Sequence, residues 1–177
     1  MNNRKEFLEL LHLGNEKSEC SCFKCKNMCK RAPCIGTPVD IINIIEAKGE
    51  DFVKKNFSPT LLFPLYILGV TNGPTRAIVQ NVKDDGSCIF FNNDGLCDIH
   101  EIKPTEGLWT NCYKGPNVLE LDPSILVIHE WTVDIDNSLK LFNMFMPKEE
   151  AVSCVYKNRS LSFKFDILHL CSLKKES

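Results

Sequence analysis

The chain has 177 residues, of which 44% are hydrophobic, and this is enough for one domain with a hydrophobic core. Lysine and arginine total 21 against 23 acidic residues, and no basic stripe with interleaved aromatic residues is present, so nucleic acid is not an expected partner. The longest apolar run, residues 61–70, is half of the roughly 20 residues that a membrane span needs, and it contains Pro64. A membrane is therefore not an expected partner either.

The first residues, MNNRKEFLELLHLG, lack the unbroken apolar stretch and the cleavage site of a secretory signal. We therefore expect a cytoplasmic protein. Cytosolic thiols stay reduced, so the ten cysteines favour metal binding or catalysis over a disulfide framework. Five of them lie within residues 20–34, and three more follow at Cys88, Cys97 and Cys112.

Helices are predicted in the first third of the chain. Residues 3–13 have apolar positions at helical spacing and lead into a cysteine-rich loop. Thr37 is a suitable N-cap for a second helix over Pro38–Lys48, which Gly49 ends. Residues 51–57 form a further short helical turn. We expect the second helix to pack against the cysteine loop and support it.

Strands are predicted in the middle of the chain. Residues 77–82 and 88–91 are rich in β-branched and aromatic residues, and the turn sequences DDG and NNDG follow them. This pattern predicts a small antiparallel sheet. Cys88 and Cys97 flank the second turn, so a hairpin would bring both sulfurs toward one point, as in many zinc sites.

The last third is predicted to contain a helix and a β-hairpin. Asp122 is a suitable cap for a helix that begins at Pro123 and continues to about Phe145, and Pro147 ends it. Residues 152–156 and 161–165 alternate in character around a polar turn, which is typical of a strand, turn and strand.

These elements predict one α+β domain over residues 1–177, with short helices and a small antiparallel sheet. The cysteine-rich metal-binding region covers residues 18–116, and the helix and β-hairpin extend it over residues 117–177. No linker or internal repeat divides the chain.

The cysteine-rich loop carries a recognisable motif. Cys22-x2-Cys25-x2-Met28-Cys29 resembles the CxxCxxCC signature of the YkgJ-like family of zinc- or iron-chelating proteins, with Met28 in place of the third cysteine. Asp40 follows eleven residues after Cys29, as the family spacing implies.

The second half of that family's pattern is also matched in order. In the family, this half resembles a cysteine before a short apolar strand, then G-x-C-x-I, then a basic residue with proline, and then a last cysteine. The matching positions in this chain are Cys88, Gly95–Ile99, Lys103-Pro104 and Cys112. The match spans residues 20–112.

The chain departs from the family pattern in three places. Met28 removes one thiolate, and Cys34 supplies an extra sulfur nearby that compensates for it. His100 stands where tyrosine is frequent, and Cys112 lies further from Pro104 than in the common form of the motif.

The clustering predicts a metal centre. Converging thiolates repel one another until a soft cation such as zinc or iron, or an iron–sulfur cluster, neutralises them. Four sulfurs close one tetrahedral site, so the surplus here allows two sites, a cluster, or some cysteines that only pack. The spacing does not decide between zinc and an iron–sulfur cluster. The predicted ligands are Cys22, Cys25, Cys29, Cys34, Cys88, Cys97 and Cys112.

The remaining candidates are weaker. His100 is expected to pack beside the site, with ligation as the alternative. The role of Cys20 is open. Cys154 and Cys171 lie in apolar surroundings and are predicted to be core residues.

Two functions follow from these observations. The first is a metal-chelating protein without a reaction of its own, whose remaining surface binds a protein partner. The second, which the resemblance implies, is an iron- or iron–sulfur-dependent enzyme acting on a protein substrate, similar to a lysine methylase. The sequence has no GxGxxG loop and no evident nucleophile with its base, so no catalytic residue is assigned.

Overall fold

The computed structural model describes residues 23–62, 74–109 and 123–161. In these ranges the chain forms seven α-helices and a two-stranded antiparallel sheet, which confirms the α+β class. The helices are α1 (Phe23–Cys29), α2 (Pro38–Lys48), α3 (Glu50–Asn56), α4 (Thr105–Trp109), α5 (Pro123–Val133), α6 (Ile135–Phe142) and α7 (Lys148–Leu161). The strands are β1 (Phe57–Leu62) and β2 (Thr75–Gln80), and a 3-10 turn covers His100–Ile102. The predicted helix over residues 3–13 lies outside the described ranges.

Helix α2 has the predicted bounds, and a capping box explains where it begins. Thr37 Oγ1 accepts a hydrogen bond from the Asp40 N–H at 3.1 Å, and Asp40 Oδ2 accepts one from the Thr37 N–H at 2.7 Å. Gly49 ends the helix with φ at 89°, a conformation that other residues rarely adopt. Ile41 and Ile44 are fully buried on the inner face.

The sheet pairs different segments from those predicted. Strand β2 pairs with β1, in a register that sets Phe57 opposite Gln80 and Leu62 opposite Thr75. Pro59 lies in the middle of β1, and proline in a sequence argues against a strand. Within the described residues β1 pairs with β2 alone, and a strand at the edge of a sheet tolerates proline. The predicted pairing of residues 77–82 with 88–91 is wrong beyond a single bridge between Val82 and Cys88.

The predicted helix over residues 123–145 is two helices, α5 and α6, separated at Asp134. The Asp134 backbone oxygen accepts from the Ser138 N–H at 3.1 Å, and its Oδ2 accepts from Asn137 Nδ2 at 2.9 Å. Aspartate is unfavourable in a helix interior, and the backbone at Asp134 leaves the helical conformation, with φ at −84° and ψ at 75°.

The predicted β-hairpin over residues 152–165 is wrong as far as Leu161, because α7 covers that segment. The buried residues of α7 are Ala151, Cys154, Val155 and Asn158, a spacing of three, four and seven that is helical and not alternating. Cys154 is in the core, as predicted. Residues 162–165 lie outside the described ranges.

The C-terminal helices share one hydrophobic core with α2 and β2. Asn158 pairs with the backbone of β2: its Oδ1 accepts from the Arg76 N–H at 2.9 Å, and its Nδ2 donates to the Arg76 oxygen at 2.8 Å. Trp131 Nε1 on α5 donates to the Gly36 oxygen at 2.8 Å, which fixes the chain next to Cys34. The largest fully buried side chains of the described residues include Trp131, Phe57, Phe142, Ile41, Ile44, Ile78 and Leu141.

None of the helices in the described part of the chain has the length and apolar character to span a membrane.

Candidate metal centre

Four of the predicted ligands have side chains that the structure describes. Cys29 is the last residue of α1, Cys34 lies in the extended segment before α2, and Cys88 and Cys97 lie in the turns after β2. Cys25 lies on α1 four residues before Cys29, and only its backbone is described. The predicted ligands Cys22 and Cys112, and also Cys20, lie outside the described ranges.

A backbone hydrogen bond joins the first cysteine segment to the second. The Cys88 N–H donates to the Cys29 oxygen at 2.8 Å. Lys26 of α1 packs closely against Gly95, because a Cβ built on Gly95 would lie only 3.3 Å from Lys26 Cδ. The end of α1 therefore packs directly on the turns that carry Cys88 and Cys97.

Cys88 and Cys97 each begin a tight turn, where the sequence had predicted a strand at the first of them. The Phe91 N–H donates to the Cys88 oxygen at 3.0 Å, and the His100 N–H donates to the Cys97 oxygen at 3.1 Å. A bridge between Phe91 and Cys97 joins the two turns. His100 thus closes the Cys97 turn through its backbone, and the role of its ring beside a metal stays a prediction.

Phe90 anchors this pair of turns in the core. Its ring stacks on Phe52 of α3, with centroids 5.6 Å apart and planes at 14°. It also contacts Phe57 of β1, again with a centroid separation of 5.6 Å. Because Phe90 is buried between these rings, the neighbouring Cys88 has a fixed position.

The surroundings of Cys88 change the pKa of its thiol in opposite directions. Burial raises its pKa, because the charged form loses solvent. The backbone N–H groups of Phe90 and Phe91 and the Lys83 charge act to lower the same pKa, but burial has the larger effect and the pKa is raised overall. A bound cation would favour the thiolate form, which is the form that binds metals.

The Cys34 thiol is affected by burial and by the charges of nearby residues. The residue keeps some exposed surface, but its thiol is enclosed by protein, and burial is the largest cause that raises its pKa well above the usual value. The charges of Glu106, Cys88, Cys29 and Cys97 raise it further. All three of these cysteines therefore lie within electrostatic reach of the Cys34 sulfur.

Helix α4 forms one wall beside Cys34. The Ile35 N–H donates to Glu106 Oε2 at 2.5 Å, and the Glu106 N–H donates to the Ile35 oxygen at 3.3 Å. Thr105 donates to the Asp40 carboxylate at 3.0 Å through its N–H and at 3.0 Å through its hydroxyl. Asp40 therefore joins the start of α2 to the start of α4, and this holds α4 against the Cys34 segment.

Gly107 permits the close contact of this wall with the sulfur. A Cβ on Gly107 would lie 2.8 Å from Cys34 Sγ and 3.4 Å from Cys34 Cβ. On another side, Gln80 Nε2 donates to Cys34 Sγ at 3.7 Å. The sulfur is therefore confined between α4 and the end of β2.

The described side chains do not by themselves complete a metal site. Within residues 23–62, 74–109 and 123–161, no three His, Cys, Asp or Glu side chains are arranged to hold one metal ion. The predicted ligand set includes Cys22, Cys25 and Cys112, whose side chains are not among those described. The metal centre and its ligands stay a prediction.

Three residues at this site were not singled out from the sequence: Gln80, Glu106 and Gly107. Gln80 has one sequence signal, since it is a polar residue that ends the apolar strand Ala77–Val79. Glu106 and Gly107 have none, because the position of α4 against Cys34 depends on contacts with distant residues.

Comparison of the chain with protein-family models, curated proteins and solved structures finds no match in any of the three. The resemblance to the YkgJ-like family therefore depends on the motif residues alone.

The Gly107→Ala variant tests the wall beside Cys34. A Cβ at 2.8 Å from Cys34 Sγ cannot be accommodated without movement, and overpacking of this kind costs about 1–3 kcal/mol. Alanine is more favourable than glycine in a helix by up to about 1 kcal/mol, and this offsets part of the cost. We expect a net loss of free energy of unfolding, measured by urea denaturation of metal-free protein.

The matched control places Gly107→Ala in a Cys34→Ala background, where the clashing sulfur is gone. There the same substitution should be neutral or stabilising. Equal destabilisation in both backgrounds would show that Cys34 is not the residue that Gly107 accommodates.

Proposed function

We propose that this chain chelates a soft or borderline metal ion, zinc or iron, through cysteine thiolates. The observation that supports the proposal is the packing of the cysteine segments: the Cys88 N–H donates to the Cys29 oxygen at 2.8 Å. The charges of Cys29, Cys88 and Cys97 also act to raise the pKa of the Cys34 thiol. Negative charges that converge in this way oppose ionisation, and a bound cation reverses the effect. Cysteine sulfur is the donor that zinc, iron and iron–sulfur clusters prefer.

The proposed ligands are those predicted from the sequence. Cys29, Cys34, Cys88 and Cys97 contribute from the described part, with Cys22, Cys25 and Cys112 as the further candidates. A metal held by these residues would join α1, the Cys34 segment and the paired turns, so its binding would stabilise the fold. The cytosol is the proposed location, because thiols stay reduced there.

The experiment is metal analysis of protein purified without oxygen, with zinc, iron and acid-labile sulfide quantified per chain together with an absorption spectrum. We expect at least one metal ion per chain. Stoichiometric zinc without visible absorption would support a structural or partner-binding module. Iron with sulfide and a band near roughly 400 nm would favour the alternative, an iron–sulfur-dependent enzyme acting on a protein. Protein that folds and contains neither metal would contradict the proposal.

A further inference from the structure

The Gln80 side chain is buried beside Cys34 with one end paired and the other not. Gln80 is the last residue of β2 and is only 3% exposed. Its Nε2 donates to Cys34 Sγ at 3.7 Å. Its Oε1 is buried and has no hydrogen-bond partner in the described part of the chain.

The hydrogen bond comes from a side chain that is held in place. Gln80 is buried at the end of β2, and its NH₂ group donates to the Cys34 sulfur. Sulfur can accept this hydrogen bond both as a thiol and as a metal-bound thiolate. The donor is therefore compatible with Cys34 as a metal ligand.

We propose that Gln80 is a positioning residue that holds Cys34 as a metal ligand. This inference rests on the proposed function. Gln80 donates to the sulfur from the end of β2, while Gly107 limits the sulfur from α4. Residues that bond to a metal ligand orient it and tune its affinity for the metal. Cys34 thereby joins the ligand set although it lies outside the CxxCxxCC signature.

The test compares zinc affinity in wild type and Gln80→Leu, measured by competition with a chelator on the full chain. Leucine has similar size and no donor, so we expect about tenfold weaker zinc binding, the lower end of the effect usual for such residues. The sulfur-to-metal absorption band of the Co²⁺-loaded protein should shift. The melting temperature of metal-free protein should stay the same or rise, because an unpaired buried oxygen has been removed.

Thr75→Val is the matched control. Thr75 lies at the other end of β2, is fully buried and also has an unpaired side-chain oxygen, Oγ1, in the described part of the chain. This variant should leave zinc affinity and the Co²⁺ spectrum unchanged. In a Cys34→Ser background, Gln80→Leu should have no further effect on zinc affinity, because the sulfur through which it acts is absent.

The outcomes separate this inference from the proposed function. Wild type that binds zinc, with Gln80→Leu equal to it in affinity and Co²⁺ spectrum, would overturn the role of Gln80 and leave metal chelation standing. A lower melting temperature of the metal-free variant with unchanged zinc affinity would show a structural role only. Wild type that binds neither zinc nor Co²⁺ would overturn both.

Discussion

The Cys88→Ser variant is expected to lose metal while keeping its fold. Serine fits the same buried turn, so the packing of Phe90 and the bond from the residue 88 N–H to the Cys29 oxygen should persist. A structural zinc site provides about 10–16 kcal/mol, and a quarter of that for one of four ligands corresponds to roughly 100-fold or more in affinity. Chelator competition measures this loss directly.

The matched control is Cys154→Ser, which replaces another buried cysteine. Cys154 lies on α7 in the core, and its sulfur contacts Met146 Sδ at 3.8 Å. We expect this variant to lose some stability and to retain full metal content. If Cys88→Ser also retained wild-type metal stoichiometry and affinity, Cys88 would not be a ligand.

The Asp40→Ala variant is expected to lower the free energy of unfolding of the metal-free protein by about 3 kcal/mol. Its carboxylate accepts the Thr37 N–H at 2.7 Å and two hydrogen bonds from Thr105 at 3.0 Å each. Hydrogen bonds to a charged group contribute about 1.5–3 kcal/mol each when buried, and partial exposure reduces the sum here. Urea denaturation followed by circular dichroism measures the change.

Asp40→Asn separates the geometry of these contacts from the charge. The asparagine oxygen can take the place of Oδ2 and accept both N–H groups, while its NH₂ faces the Thr105 hydroxyl, which can turn to accept. We expect a loss of about 1 kcal/mol, well below that of alanine. An alanine variant as stable as wild type would contradict the proposed connection between α2 and α4.

Helix α2 could be predicted from the sequence because its signals are local. A threonine N-cap, a proline at the first position, an aspartate at the third and a terminal glycine all act within one turn of the helix, and each is found as expected. The turn glycines Gly86 and Gly95, with φ of 81° and 75°, were predictable for the same reason.

The errors arose where distant contacts decide the structure. Strand β1 contains Pro59, and only its pairing with β2 makes it a strand. Helix α7 has a short alternating stretch in its sequence, but Asn158 bonds to the β2 backbone and the buried spacing is helical. Tertiary contacts override such short patterns.

The site was predictable only in part, because cysteines have a compositional signal and their supporting residues do not. The spacing of Cys29, Cys34, Cys88 and Cys97 made them candidates before any fold was known. Gln80 and Gly107 are ordinary residues in the sequence. Their positions beside Cys34 depend on where β2 and α4 pack.

X-ray absorption spectroscopy at the edge of the bound metal, on protein purified without oxygen, tests metal chelation by cysteine most directly. We expect a first shell dominated by sulfur, with about four sulfurs near 2.3 Å if the metal is zinc. A first shell of only nitrogen and oxygen near roughly 2.0–2.2 Å would contradict it.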